Sequence, residues 1–258
     1  MIEIVVKAAL EAGKKILEIY EQDFEVFQKL DESPLTKADQ EAHKVIEAHL
    51  KLTNIPVLSE EGKSIPYEVR SKWNQFWMVD PLDGTKEFVK KNGEFTVNIA
   101  LIENQKPILG VVYAPVKGWM YIGDASLGAF KLELTTDANF SQDQLTNEFK
   151  LPKATADEVY KVVGSRSHSS EETELFIADL EQKHGKVEFV SMGSSLKLCL
   201  VAEGAANIYP RLAPTMEWDT AAGHAVCNAA GKKVQIYKTE TDVLYNKENL
   251  LNPYFVVS

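Results

Sequence analysis

The chain has 258 residues, 45% of them hydrophobic, enough for one large domain or two closely packed ones. A formal net charge of −10 and a pI near 5.1 exclude the basic footprint that nucleic acid or an anionic membrane demands. The two cysteines, Cys199 and Cys227, form no CxxC or zinc spacing and fit free thiols in a reducing cytoplasm.

Val5, Ala9, Ala12, Ile16 and Ile19 recur at three- and four-residue steps, which predicts an amphipathic helix over residues 2–21. Charges run through that stretch, so it reads as a mature helix of a soluble protein and not as a targeting or membrane segment. "FEVFQK" predicts a short strand and "ESPLTKAD" a turn. Ala42, Val45, Ile46 and Leu50 then give a second helical face. "IPVLSEEG" is a short strand running into a turn. "FWMVDPLDGT" is a strand followed by a loop, and "GTKEFVKK" begins a helix. Residues 95–134 carry four β segments separated by Gly, Pro and Asn turns. Residues 135–155 are polar and weakly patterned. The domain junction is expected there, dividing the chain into 1–150 and 151–258. Beyond it strands ("VYKVVGS", "VEFVS", "ANIYPR", "KVQIY") alternate with helices over 170–184, 194–203 and 219–230, the pattern of a layered α/β half.

Three acidic motifs each follow an apolar segment. Asp80 and Asp83 flank a stiff Pro81 in "VDPLDGT", Glu60 and Glu61 follow Leu58, and Asp219 heads the small-residue stretch "WDTAAGHAV". Singly, each has an ordinary role: a strand cap and Asp-Gly turn, solvated loop charges, a helix N-cap. Glu217 reads as a surface charge. Two carboxylates held together repel unless they are protonated or share a cation, and hard oxygen ligands suit Mg²⁺. A glycine beside a helix start, as in Gly84-Thr85, offers N–H groups to a phosphate. Together the motifs suggest two-metal phosphoryl hydrolysis, which would also explain how an acidic protein takes an anionic substrate.

The ordered set Ser59-Glu60-Glu61, Asp80-Pro81-Leu82-Asp83-Gly84-Thr85 and Trp218-Asp219-Thr220-Ala221-Ala222-Gly223 resembles the lithium-sensitive, Mg²⁺-dependent inositol monophosphatase superfamily. "NGEFTVNIALI", "KPILGVVYAPV", "SRSH", "GSSLK" and "CLVAEG" look like its bacterial 3′(2′),5′-bisphosphate nucleotidase branch. The resemblance implies an α/β (α+β) fold, the layered α/β/α/β/α sandwich of sugar phosphatases. It implies hydrolysis of adenosine 3′,5′-bisphosphate to AMP and phosphate, and of PAPS to adenylylsulfate, in sulfur assimilation. By motif, two or three Mg²⁺ ions would be held by Glu60, Asp80, the Leu82 carbonyl, Asp83 and Asp219. Asp39 and Thr85 would activate the attacking water, and Gly84 and Thr85 would seat the phosphate. Ser165, His168, Gly193, Lys197 and Arg211 would read the nucleotide. Their ordinary alternatives are an exposed turn histidine, a helix start capped by Ser194, a surface lysine and a structural ion pair for Arg211. Cys199, Cys227, His224, Trp73 and Trp77 read as packing residues, and His43 and His49 have no metal-like third partner nearby in sequence. The rival expectations are an inositol or sugar phosphatase with the same metals, and a non-catalytic binding module. The intact acidic set argues against the module. Expected partners are the small nucleotides alone, with no nucleic acid and at most peripheral contact at the inner face of a membrane from the cytoplasm.

Overall fold

The first helix, α1 (Ile2–Tyr20), buries Val5, Ala9, Ala12 and Ile16, the stripe that the periodicity selects. After β1 (Val26–Gln28) and β2 (Pro34–Thr36), α2 (Lys37–Leu50) lies against α1 through Ala38, Ala42, Ile46 and Leu50. This computed structural model describes residues 1–21, 26–28, 34–153, 159–165 and 170–258. Among them, no helix is long and apolar enough to cross a membrane.

The central element is a sheet of seven strands in sequential order. They are β3 (Val57–Ser59), β4 (Gln75–Asp83), β5 (Thr96–Glu103), β6 (Lys106–Ala114), β7 (Trp119–Asp124), β8 (Gly128–Glu133) and β9 (Lys150–Leu151). Only β3 and β4 pair in parallel, with the short α3 (Tyr67–Arg70) in their crossover; α4 (Thr85–Val89) joins β4 to β5. Alternation along the strands splits the side chains between two cores. Trp77, Val79, Ile99, Val111 and Tyr113 face α1 and α2. Phe76, Met78, Ala100, Val112 and Tyr121 face the other way, toward helices from the second half. A sheet covered on both faces explains why these strands read as nearly unbroken apolar runs.

In the second half, β10 (Tyr160–Gly164) and β11 (Val187–Ser191) pair in parallel around the crossover helix α5 (Glu171–His184). Ser170 caps α5 by accepting from Thr173 N–H. Then come α6 (Leu196–Glu203), β12 (Tyr209–Arg211), α7 (Glu217–Ala229), β13 (Val234–Ile236) and β14 (Phe255–Val257). The last three strands form a sheet in the order β12-β14-β13. A bridge from Val162 to Ile208 links the two small sheets. Helices α6 and α7 lie between them and the large sheet, and α5 packs outside against β11 and β12. The layers therefore run α1α2, large sheet, α6α7, small sheets, α5, which is the α/β/α/β/α order the resemblance implies.

Helix α7 sits unusually close to the large sheet. A Cβ on Gly110 of β6 would lie 2.3 Å from the Ala222 carbonyl oxygen, and one on Gly123 of β7 would lie 2.4 Å from Val226 Cα. Bare strand positions thus meet the small-residue face Ala221, Ala222, Ala225 of the helix.

The structure differs from the sequence reading at several places. Within the expected turn "ESPLTKAD", Pro34–Thr36 is strand and the helix already begins at Lys37, and the one-turn α3 was not foreseen. Strand β4 continues through Asp83 where a loop was expected from Asp80. Only Tyr209–Arg211 of "ANIYPR" is strand. Strands β9 and β14 were not foreseen, because two or three residues carry too little alternation to register as a period.

Candidate active site

In a regular strand, residues three apart point to opposite faces. Asp80 and Asp83 escape this rule through a bulge. Asp80 pairs with Asn98 and Asp83 with Thr96, so three steps along β4 answer two along β5. The extra residue restores parity and puts both carboxylates on the α6–α7 side. Leu82 donates its N–H to Asp80 Oδ1 at 3.1 Å, while its side chain is buried in the opposite core.

Glu60 follows β3 and donates its N–H to the Val79 carbonyl at 3.1 Å, which brings it to the same end of the sheet. Asp39 is buried in the first turn of α2. Asp219 is the third residue of α7, and its Oδ2 accepts from Met216 N–H at 2.9 Å. Asp80, 1% exposed, feels them all. Its carboxyl is raised well above the usual range by burial first, then by the charges of Glu60, Asp83, Asp219 and Asp39. Asp219 is raised by burial and by Asp83, with the Met216 N–H pulling it back. Among the described residues no three of these side chains are drawn into a ready cation cage. The cluster is instead a set of charges that destabilise one another, and its donors are hard oxygens, so it fits a divalent cation in kind and in sign.

Asp83 is tied to the second half of the chain. Its Oδ2 accepts from the Ser195 N–H at 2.7 Å and from the Ser194 hydroxyl at 2.5 Å. Ser194 holds a left-handed φ of 53° and is no helix cap; α6 begins at Leu196. Behind it Thr96, Ser195 and Asn98 form a buried hydroxyl–amide network.

Beside the cluster lies a cavity of about 140 Å³ walled by Asp83, Gly84, Ser165, Lys197, Arg211 and Asp219. Gly84, at φ 91°, precedes Thr85, the first residue of α4. Lys197 is not the surface lysine of the ordinary reading. It is 7% exposed and donates Nζ to the Ser194 carbonyl at 2.6 Å. Burial lowers its ammonium to about 8 while the charge of Asp83 opposes that fall. Arg211 donates to the Pro214 carbonyl at 2.7 Å, and its Nε is buried without a hydrogen-bond partner among the described residues. Gly193 stands behind the wall, giving its N–H to Glu94 Oε2 at 2.8 Å. His168 lies outside the described residues. A larger cavity of about 700 Å³, beside Lys131, Phe149 and Glu203, is walled by none of these residues, so size alone does not locate the chemistry.

Glu217 departs most from expectation. Read as a surface charge, it is wholly buried. It accepts from Asn246 N–H at 2.6 Å, Lys247 N–H at 3.0 Å and Lys247 Nζ at 2.5 Å. Arg70 and Asn252 brace the same C-terminal segment, so the start of α7 is clamped from outside. An acidic residue in a first turn was visible in sequence; its partners 30 residues downstream were not. His224 packs as expected, buried against the Tyr245 hydroxyl at 2.9 Å. Cys199 and Cys227 are buried free thiols, and Trp77 is core.

The family model described as "Inositol monophosphatase family" matches residues 1–254. The chain is 47% identical over 262 residues to the 3′(2′),5′-bisphosphate nucleotidase CysQ of Salmonella typhimurium, covering 100% of this chain and 99% of that one. It is 33% identical to the protein of the same description from Haemophilus influenzae, with 98% and 90% covered. Among solved structures, the crystal structure of CysQ from Bacteroides thetaiotaomicron superposes with a TM-score of 0.91 at 52% identity, covering 99% of this chain and 95% of that one. The extragenic suppressor protein suhB of Bartonella henselae shares the fold with a TM-score of 0.74 at 22% identity, over 100% and 92% of the two chains.

Proposed function

The chain belongs to the inositol monophosphatase family, and on that premise we propose that it is a Mg²⁺-dependent 3′(2′),5′-bisphosphate nucleotidase. It removes the 3′-phosphate of adenosine 3′,5′-bisphosphate to give AMP and phosphate, and that of PAPS to give adenylylsulfate, in the cytoplasm. The observation that carries this reading is adjacency: Asp83 and Asp219, from the acidic cluster, share one cavity with the cations Lys197 and Arg211. The full-length relatives described as bisphosphate nucleotidases support it.

In this reading Glu60, Asp80, the Leu82 carbonyl, Asp83 and Asp219 hold two or three ions. Bound Mg²⁺ neutralises phosphate charge, lowers the pKa of water and stabilises the leaving oxygen. The Thr85 hydroxyl orients the attacking water and passes its proton toward Asp39. Gly84 and Thr85 N–H groups seat the scissile phosphate. Lys197 and Arg211 take the second phosphate, Arg211 through a planar fork that suits it. Ser165, His168 and Gly193 complete the nucleotide side, so residues 1–150 supply most of the chemistry, with Asp219 joining it from 151–258, which supplies the recognition.

The test is phosphate release from adenosine 3′,5′-bisphosphate and from inositol 1-phosphate, with Mg²⁺ and with chelator. Metal-dependent preference for the nucleotide is expected. Preference for the inositol ester replaces this reading with that of an inositol phosphatase. No metal-dependent turnover of either ends both.

A further inference from the structure

The phosphate end of the site is small. At about 140 Å³ it is well below the roughly 300 Å³ at which pockets begin to enclose a drug-sized ligand. A nucleoside bisphosphate must therefore extend beyond it. Ser165, Tyr209 and Arg211 line that cavity and also line a narrow cleft of about 20 Å³ next to it, so the wall is continuous in that direction and a base must lie over the cleft and not inside it. Phe189, on β11, lines the same cleft.

Phe189 is 47% exposed, an aromatic ring that β11 does not bury. The ring rests on Gly164. A Cβ there would fall 2.6 Å from Phe189 Cζ and 2.7 Å from Cε2, so the bare glycine is what lets the ring lie at the rim, one residue before Ser165. The other aromatic of this wall, Tyr209, offers no free face: it is 3% exposed and the Lys197 ammonium stands 5.7 Å from its ring centroid. A purine leaving the phosphate end needs a flat apolar contact, and base–aromatic stacking supplies one whichever base edge faces solvent.

The geometry points to Phe189 as the platform on which the nucleobase stacks, and so as a residue that sets selectivity for nucleotides over base-free phosphate esters. This rests on the nucleotidase reading above and adds its base-binding side. Phe189 does not touch the reacting atoms, so its effect falls on KM and leaves the chemical step alone.

The experiment compares kcat/KM for adenosine 3′,5′-bisphosphate with that for the base-free 1-O-methylribose 3,5-bisphosphate. The wild type, Phe189→Leu and Phe189→Trp are used, each checked by melting temperature. Leucine keeps the apolar contact with Gly164 but removes the π face. It should lower the nucleotide-to-sugar ratio by about 5- to 100-fold, through KM, as loss of one base–aromatic stack does. Tryptophan should preserve the ratio. A second readout needs no turnover: AMP, but not ribose 5-phosphate, should quench the fluorescence added by a tryptophan at 189. An unchanged ratio in Phe189→Leu, or equal quenching by both ligands, overturns the platform while leaving the nucleotidase reading intact. A wild type that prefers inositol 1-phosphate overturns the nucleotidase reading, and the platform with it.

Discussion

The closeness of α7 to the large sheet makes Gly110→Ala a sharp probe of how Asp219 is positioned. Gly110 lies in the middle of β6, paired with Ala100 on one side and Gly123 on the other. The added methyl would meet the Ala222 carbonyl oxygen at 2.3 Å and Ala225 Cβ at 2.7 Å. Ordinary contacts stand at about 3.5 Å, so the helix must retreat by about 1 Å. Ala222 is one turn beyond Asp219, and the retreat carries that carboxylate with it. Overpacking of this kind costs about 1–3 kcal/mol of stability, and a misplacement of about 1 Å costs roughly 100-fold in rate. The assay is phosphate release at saturating Mg²⁺ and nucleotide, beside a urea unfolding curve. The control is Gly13→Ala, which presses α1 against Tyr113 Cε1 at 2.6 Å on the opposite face of the sheet. Gly13→Ala should lose similar stability without a comparable loss of rate. The reasoning is refuted if Gly110→Ala is destabilised yet turns over within about threefold of wild type, or if the two variants lose rate equally.

Asp83→Asn should reduce turnover by at least about 100-fold with a small fall in melting temperature, because it alters a proposed cation ligand and no apolar packing; near-normal activity would remove Asp83 from the metal assignment. Glu217→Ala leaves the Asn246 and Lys247 N–H groups without their acceptor, while Lys247 Nζ, 30% exposed, keeps the Leu244 carbonyl, so urea titration should show a loss of about 2–4 kcal/mol; a loss under 1 kcal/mol would mean that the clamp is not stabilising. Burial lowers the His224 imidazole from 6.5 to about 3. Below pH 6.5 the unfolded chain therefore binds a proton that the folded one refuses, and stability falls as pH falls toward 3. Between pH 7.5 and pH 5.0 this group should remove about 2 kcal/mol from the wild type, and His224→Asn should be relieved of that portion; equal pH dependence of the two proteins would refute the assignment.

Much of this architecture was legible because most of its elements are long or strongly periodic. The stripe of α1, the apolar runs of β4 to β7 and the small-residue face of α7 each announce a period or a contact surface. The acidic residues were legible as motifs and their convergence was expected, yet the backbone device that achieves it was not. Period-two alternation sends Asp80 and Asp83 to opposite faces, and only the register against Thr96 and Asn98 reveals the bulge that reverses this. Glu217 and Lys197 were misjudged in their ordinary readings for a related reason. A charged residue reads as exposed until its partners are known, and Asn246, Lys247 and the Ser194 carbonyl are brought to them only by tertiary structure. Phe189 gave no signal at all, since an aromatic in a β segment reads as core.

The hold of Ser194 and Ser195 on Asp83 has a thermodynamic corollary. One carboxylate belongs both to the cluster proposed for cations and to the loop that leads into Lys197. A ligand that orders residues 193–197 biases the orientation of Asp83, and with it the affinity for a cation. Reciprocity then requires the cation to change the affinity for that ligand by the same factor. Under the proposed nucleotidase reading, metal and nucleotide would be heterotropic effectors of each other. The apparent dissociation constant of either one is defined only at a stated concentration of the other.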